Sequence, residues 1–356
     1  MPTTPRASAA SCSVENPPGS AGPIELEVAM SQTNPDVQHS PEHTMTDDPV
    51  AIVSPTRQLR TWQLFLIGVG SAALGLLPWL ITGMRLPLQN LWASETLPDD
   101  MPLVLLPFSQ YSLSLIASVV IIGAAIAGLV GRATSAWTHR GGFALLLAGV
   151  LLVDAVAIGQ TATAVGGGLR DDDWSVLYLW AVVAVAILAV IVGVGVLWLI
   201  ARAPRAGAVI GFTIAAILSA GWLHALLSPQ GPAFAGEPAW LWAAVRWVPA
   251  VLVGAAIAWG GIDTVGRIVA AIASLVMLWV GPTLITAVSA AAGTRVLAKY
   301  PGEMVDYGVG VFRMALTDPG LVVAPLVMAI VVAAIGLVAR TLIGRSAAAR
   351  REASAA

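Results

Sequence analysis

The chain has 356 residues, 57% of them apolar and 11% charged, with a mean hydropathy of +0.83. Soluble domains carry about 25% charged residues, so this composition points to an integral membrane protein. A net charge of −2 excludes a basic field for nucleic acid, and a single cysteine, Cys12, excludes an internal disulfide or a cysteine metal cluster.

Residues 1–56 hold nine prolines and no Phe, Trp or Tyr. Up to Asp48 they carry seven acidic residues and one basic residue. Such a segment buries too little apolar surface to offset its chain entropy, so a disordered acidic tail is expected. No basic run precedes an early apolar stretch, so it does not read as a signal peptide. Met30 and Met45 are alternative starts. His39 and His43 stand four apart, a weak signal for a metal site in a segment without a fold.

From residue 57 to 345 the sequence predicts an all-α, polytopic bundle of about eight transmembrane helices. A helix needs about 20 apolar residues to cross a hydrocarbon core of about 30 Å. Eight segments meet that length: Trp62–Thr82, Tyr111–Gly131, Gly142–Val165, Leu177–Ala201, Ala206–Leu227, Trp240–Gly260, Ile268–Ala291 and Leu321–Ala339. Residues 346–356 are expected to be a short cytoplasmic tail. The segments between spans that share the N-terminal side hold Arg57, Arg60, Arg132, Arg140, Arg202, Arg205, Arg267, Arg340, Arg345, Arg350 and Arg351. The opposite segments hold only Arg85, Arg170, Arg295, Lys299 and Arg313. The bias puts both termini in the cytoplasm. Trp62, Trp198 and Trp259 fall near inner span ends, and Trp79, Trp180, Trp222, Trp240, Trp242 and Trp247 near outer ends, as an aromatic belt would. Trp279 alone lies deep.

Two outer connections are long, 83–110 and 292–320. The first, RLPLQNLWASETLPDDMPLVLLPF, is proline-rich and too apolar for an ordinary loop, so part of it is expected to rest on or dip into the outer interface. The second contains GEMVDYGVGVFRMAL, which places Val305, Val309, Phe312 and Leu316 on one helical face, as in a helix lying on the membrane surface.

Lipid is as apolar as leucine, so close backbone packing must hold the helices together. Small residues four apart permit it. Gly207, Gly211, Ala215 and Ser219 form such a row in the fifth span, suited to a neighbouring helix or a homodimer. Shorter rows are Gly123, Ala127 and Gly131, and Ala250, Gly254 and Ala258.

The candidate polar site centres on Asp154, about 18 Å into the third span. A charged Asp facing lipid there costs at least about 2.5–3.5 kcal/mol. It should face the bundle or a water-filled cavity, or be uncharged. Thr161, seven residues on, shares its face, whereas Gln160 points elsewhere. Arg246 is the one cation set inside a span, and His224 lies nearer the outer edge. Pro282, after Gly281, would interrupt the seventh span as broken helices do in transporters. Asp171, Asp172 and Asp173 stand where the fourth span begins, and a helix dipole stabilises carboxylates there. Asp263 and Arg267 have the spacing of a local ion pair.

The chain has no phosphate loop, no His-Glu-x-x-His and no nucleophile–base pair, so no cofactor or metal is expected and no catalytic residue is assigned. Its arginine outnumbers lysine 17 to 1, which points to a GC-rich genome. With its acidic leader, arginine-capped spans and PWLITGMRLPLQNLWA, the chain resembles uncharacterised multi-pass membrane proteins of high-GC Gram-positive bacteria. That resemblance implies a bacterial plasma membrane and a multi-pass topology, and it carries no activity to any residue. Three functions remain open: an envelope-assembly or scaffold component acting through the bilayer and a membrane partner; a secondary transporter using Asp154; and a transferase using an outer carboxylate such as Asp99, Asp100 or Glu303.

Overall fold

In hydrocarbon a long apolar segment can pair its own amides only as a helix. The computed structural model describes residues 60–135, 141–228, 239–294, 296–297 and 300–355. The acidic tail with Cys12, Met30, His39, His43 and Met45, and also Arg57, Arg140, Arg295 and Lys299, lie outside the described residues. Among the described residues the chain forms α1 (Thr61–Ile81), α2 (Leu113–Ala133), α3 (Gly142–Gly168), α4 (Asp173–Ala201), α5 (Arg205–Leu227), α6 (Ala239–Gly260), α7 (Val265–Gly293), α8 (Pro301–Thr317) and α9 (Pro319–Ala355). All but α8 are long and apolar enough to cross a membrane, and their order matches the eight predicted spans.

Helix ends follow local chemistry. The Arg60 amide donates to Gln63 Oε1 (2.8 Å) at the start of α1. Asp172 caps α4 by accepting the Ser175 amide at 2.7 Å. Pro301 opens α8, where no amide partner is needed. Gly261 takes φ +75° in the tight turn between α6 and α7. Asp263 in that turn bridges Arg267 of α7 (2.7 Å) and Arg340 of α9 (3.3 Å). Past Arg340, α9 continues as helix to Ala355, because its Ala- and Arg-rich sequence is itself a strong helix former.

The spans alternate in direction, so the start of α1 and the end of α9 share one end of the bundle, rich in arginine. They associate as two sets. In the first, α1 packs on α2 and α3, and α2 and α3 pack on α4. In the second, α6 packs on α5 and α9, and α7 on α5. Helix α5 joins the sets, because it also packs on α2, α4 and α1. A buried cluster including Ile121, Val196, Ile200 and Leu218 lies at this junction.

Glycines make these contacts close. A methyl group at Gly68 would meet the Leu146 carbonyl, and one at Gly149 the Phe65 carbonyl, so α1 and α3 touch backbone to backbone. Gly123 lies against Ser71 and Ala72 of α1, and Gly254 against Ala329 and Val332 of α9. In the α5 row, Gly207 and Gly211 face Leu199, Ile200 and Ala203 within this same chain.

The second long connection departs from expectation. Gly308 of α8 lies against Ala287 and Ala291, and the Leu316 carbonyl accepts from Trp279 Nε1 at 3.3 Å. Helix α8 therefore runs antiparallel along α7 and does not lie flat at its end. Its packed side includes Gly308, Phe312 and Ala315, whereas Val305 and Val309 are exposed.

The α1–α3 seam makes a direct prediction. Gly68→Ala should lower the temperature at which the detergent-solubilised protein aggregates, at a cost of about 1–3 kcal/mol. Gly70→Ala, with nothing within 4 Å of the added carbon, should leave it unchanged or raise it.

Candidate functional site

Residues 83–110 fold into a cap over the ends of α1, α3 and α4. The chain leaves α1 through Gly83 and Met84, both left-handed at φ +88° and +58°. A side chain as large as Met is costly there. The turn brings the Met84 carbonyl to the Val104 amide (2.8 Å) and the Leu86 amide to the Pro102 carbonyl (3.0 Å). Leu86, Met101, Val104, Leu106 and Phe108 are all buried. A single 3-10 turn, Pro98–Asp100, projects from the cap.

The cap's backbone is held by side chains of the bundle. Trp79 Nε1 donates to the Val104 carbonyl at 2.8 Å. Gln160 accepts the Leu105 amide at 3.0 Å and donates to the Leu103 carbonyl at 2.8 Å. Thr161 Oγ1 accepts the Leu106 amide at 3.0 Å. Nearby, Ala93 donates to the Gly168 carbonyl (2.9 Å) and Arg170 to the Leu91 carbonyl (2.9 Å). Tyr178 donates its hydroxyl proton to Gln89 Oε1 at 2.6 Å, and Gln89 Nε2 donates to the Phe108 carbonyl at 2.9 Å.

Asp154 lies two turns below Thr161 on the same buried face of α3, with Val150, Ala157 and Val165. It is 4% exposed. The register of Gly149 against Gly68 sets it level with the Ala72 turn of α1. Among the described residues no cation or hydrogen-bond donor reaches its carboxylate.

The other predicted site residues stand apart. Arg246 is exposed and lies over the Trp247 ring at 5.2 Å. It belongs to α6, which packs on α5, α7 and α9, whereas α3 packs on α1, α2 and α4. The bridge to Asp154 is therefore not formed. His224 is exposed against Trp242, with ring centroids 4.7 Å apart. Pro282 is exposed on α7, which runs unbroken from Val265 to Gly293. The structure unites Asp154 with Thr161 and separates both from Arg246, His224 and Pro282. Of the acidic triplet, Asp172 is the cap of α4. Accepting the Ser175 amide holds its carboxyl below the ordinary carboxylate range. Its contribution to stability is thus complete above that range and is lost as pH falls through the lowered value.

Two grooves flank the junction of the two helix sets. One, of about 620 Å³, lies among α2, α5 and α6, with Arg132 at its arginine-rich end. The other, of about 590 Å³, lies at the capped end, where Asn90, Gln110 and Tyr178 face Thr294, Pro301 and Met304. Asp154 walls neither, nor do Asp99, Asp100 and Glu303.

Sequence reading missed Gln160, Tyr178, Arg132 and the buried pair Thr213 and Ser274, whose hydroxyl oxygens are 2.8 Å apart between α5 and α7. Gln160 and Tyr178 serve the irregular cap, which has no periodicity to read. Arg132 was counted only as an interfacial charge.

The arrangement defines a polytopic α-helical membrane protein with a folded, largely irregular cap at one end. Comparison of the chain with protein-family models, curated proteins and solved structures gives no match.

The cap should depend on α3. Thr161→Val would leave the buried Leu106 amide unpaired, at a cost of about 1–3 kcal/mol. Limited proteolysis between Leu97 and Phe108 should accelerate in Thr161→Val and more so in the Gln160→Leu, Thr161→Val double variant.

Proposed function

We propose that the protein is a non-enzymatic component of a bacterial plasma membrane, an envelope-assembly or scaffold protein, with its arginine-rich end in the cytoplasm and its cap outside. The observation that carries this reading is the use of the deep polar side chains. Gln160, Thr161 and Trp79 hold the cap, and Thr213 meets Ser274 between helices. Asp154 sits beside the glycine-packed α1–α3 seam and lines neither of the two grooves. A transporter would need that carboxylate on a wetted path. A transferase would need Asp99, Asp100 or Glu303 in a groove, and the groove at the capped end is lined by amides, hydroxyls, an indole and apolar groups. The cap also presents exposed Leu88 and Leu97, suited to a membrane partner or the headgroup layer. Of the α5 row, Gly207 and Gly211 are already covered by α4, and Ala215 and Ser219 line the groove among α2, α5 and α6.

Two measurements test this. In proteoliposomes holding a pH-sensitive dye, wild type and Asp154→Asn should show the same passive proton leak as empty vesicles. A proton flux present in wild type and lost in Asp154→Asn at equal folded yield would establish the transporter instead. In a Cys12→Ser background, a cysteine at Glu95 should react with an impermeant maleimide in intact cells, and one at Ser346 only after lysis. The reverse pattern would invert the orientation.

A further inference from the structure

The groove among α2, α5 and α6 joins an apolar channel to a single cation. Its walls are apolar and small, with Ala215 and Ala216 of α5 as floor, Ile122 and Leu129 on one side and Leu252 and Ala255 on the other. At its arginine-rich end stands one cation, Arg132, half-buried. Arg132 Nη1 donates to the Ile200 and Ala203 carbonyls at 2.7 and 3.1 Å, and the guanidinium lies 5.0 Å from the Trp259 ring centroid. These contacts fix its position and leave its other N–H groups free for an acceptor. Among the described residues no carboxylate pairs with it; the ion pairs there are Arg170–Asp172, Arg267–Asp263 and Arg340–Asp263. The charge of Arg205 acts on the same place and raises the local positive potential.

We propose that this groove holds one acyl chain of an anionic phospholipid, with the lipid phosphate on Arg132. Length supports that occupant. From Arg132 to Ile122 the groove follows α2 for about 15 Å at roughly 1.5 Å per residue. That is half of a hydrocarbon core of about 30 Å, the depth of one leaflet. Polarity supports it too. Ser219, at the far end, turns its hydroxyl to the Ala216 carbonyl at 2.6 Å, so the groove above Arg132 offers no polar partner. A single cation at headgroup depth with an apolar channel behind it matches an amphiphile whose one anionic group sits at one tip. A planar guanidinium with free N–H groups suits a phosphate through paired charge-assisted bonds. The occupant would fill the space where α2 and α6 flank α5, and would tie the two helix sets together.

Native mass spectrometry of the full chain, released from vesicles of equal phosphatidylglycerol and phosphatidylcholine, tests the proposal. Wild type should retain one phosphatidylglycerol in preference to phosphatidylcholine. Arg132→Gln should reduce that preference about tenfold or more. Because Arg132 also bonds two carbonyls of its own chain, a second variant leaves it intact. Ala255→Trp fills the groove and should displace the lipid, while Gly70→Leu, on an open face of α1, should not. Equal retention of both lipids, or undiminished phosphatidylglycerol in Ala255→Trp, would overturn the proposal. So would disulfide-linked dimers from a lone cysteine at Leu252 in lipid-retaining vesicles, since a second copy would then occupy the groove. None of these outcomes depends on which end faces the cytoplasm.

Discussion

Hydrocarbon offers no partner to a backbone amide, and each amide left unpaired there costs several kcal/mol. Eight helices meet that demand internally. The stretch 83–110 cannot, because Pro87, Pro98, Pro102 and Pro107 deny it a continuous helix. Its buried amides and carbonyls must find partners elsewhere, and they find them in a two-rung ladder, in Trp79 and in the adjacent pair Gln160 and Thr161. The dependence runs both ways. Polar side chains that would be a burden on a lipid-facing α3 are satisfied because the cap supplies backbone groups at their height. The left-handed Met84 belongs to the same bargain, since without that turn the Val104 amide would lose its acceptor.

Packing rests on a second consequence of the same solvent. With no hydrophobic drive between helices in lipid, contact area must come from close approach, and the closest seams here are glycine seams. Gly68 with Gly149 brings α1 and α3 together, Gly75 with Gly123 brings α1 and α2 together, and Gly254 seats α9 on α6. Between the two sets no comparable glycine seam joins α2 to α6. Both rest on α5, and a groove opens between them. A space of this size in hydrocarbon does not stay empty, so the weaker internal contact at the junction itself calls for a filler from outside the chain.

Most of the helical architecture was legible because a single quantity, apolar length, decides it. The spans, their alternation and the Asp263–Arg267 pair follow from that and from charge placement. The surface helix was legible as a helix but not in its direction, because the face that docks, through Gly308 and Ala315, is small and less apolar than the face through Val305 and Val309 that does not. Small-residue rows identified backbone contact but not its partner, since Gly211 alone does not say whether α4 or a second copy meets it. For the site, Asp154 and Thr161 were found because a polar group in an apolar run is conspicuous. Gln160 was set aside because helical phase turned it away from Asp154, yet its partner proved to be main chain. No side-chain pattern announces a backbone partner from an irregular segment.

Those elements constrain what Asp154 can do. Its surroundings are fixed by the α1–α3 glycine seam on one side and closed by Thr161 and the cap at the loop end. Two turns above the carboxylate, Thr161 holds the Leu106 amide, and Gln160 and Trp79 pin the segment beside it. Each such bond contributes about 0.5–1.5 kcal/mol net, and an amide left exposed to hydrocarbon costs more than the bond itself. Seating of the cap and the pairing of Trp79, Gln160 and Thr161 are therefore one equilibrium. A change at the cap, such as a partner drawing Leu97 outward, acts on Gln160 and Thr161 through the backbone of residues 103–106. Conversely, whatever alters the α1–α3 seam alters the height and tilt at which Gln160 and Thr161 present their side chains. Trp79, Gln160, Thr161 and the cap form a single hydrogen-bonded unit, in which Asp154 shares the helix but makes no bond, and that coupling holds for a scaffold as much as for any protein that moves a solute.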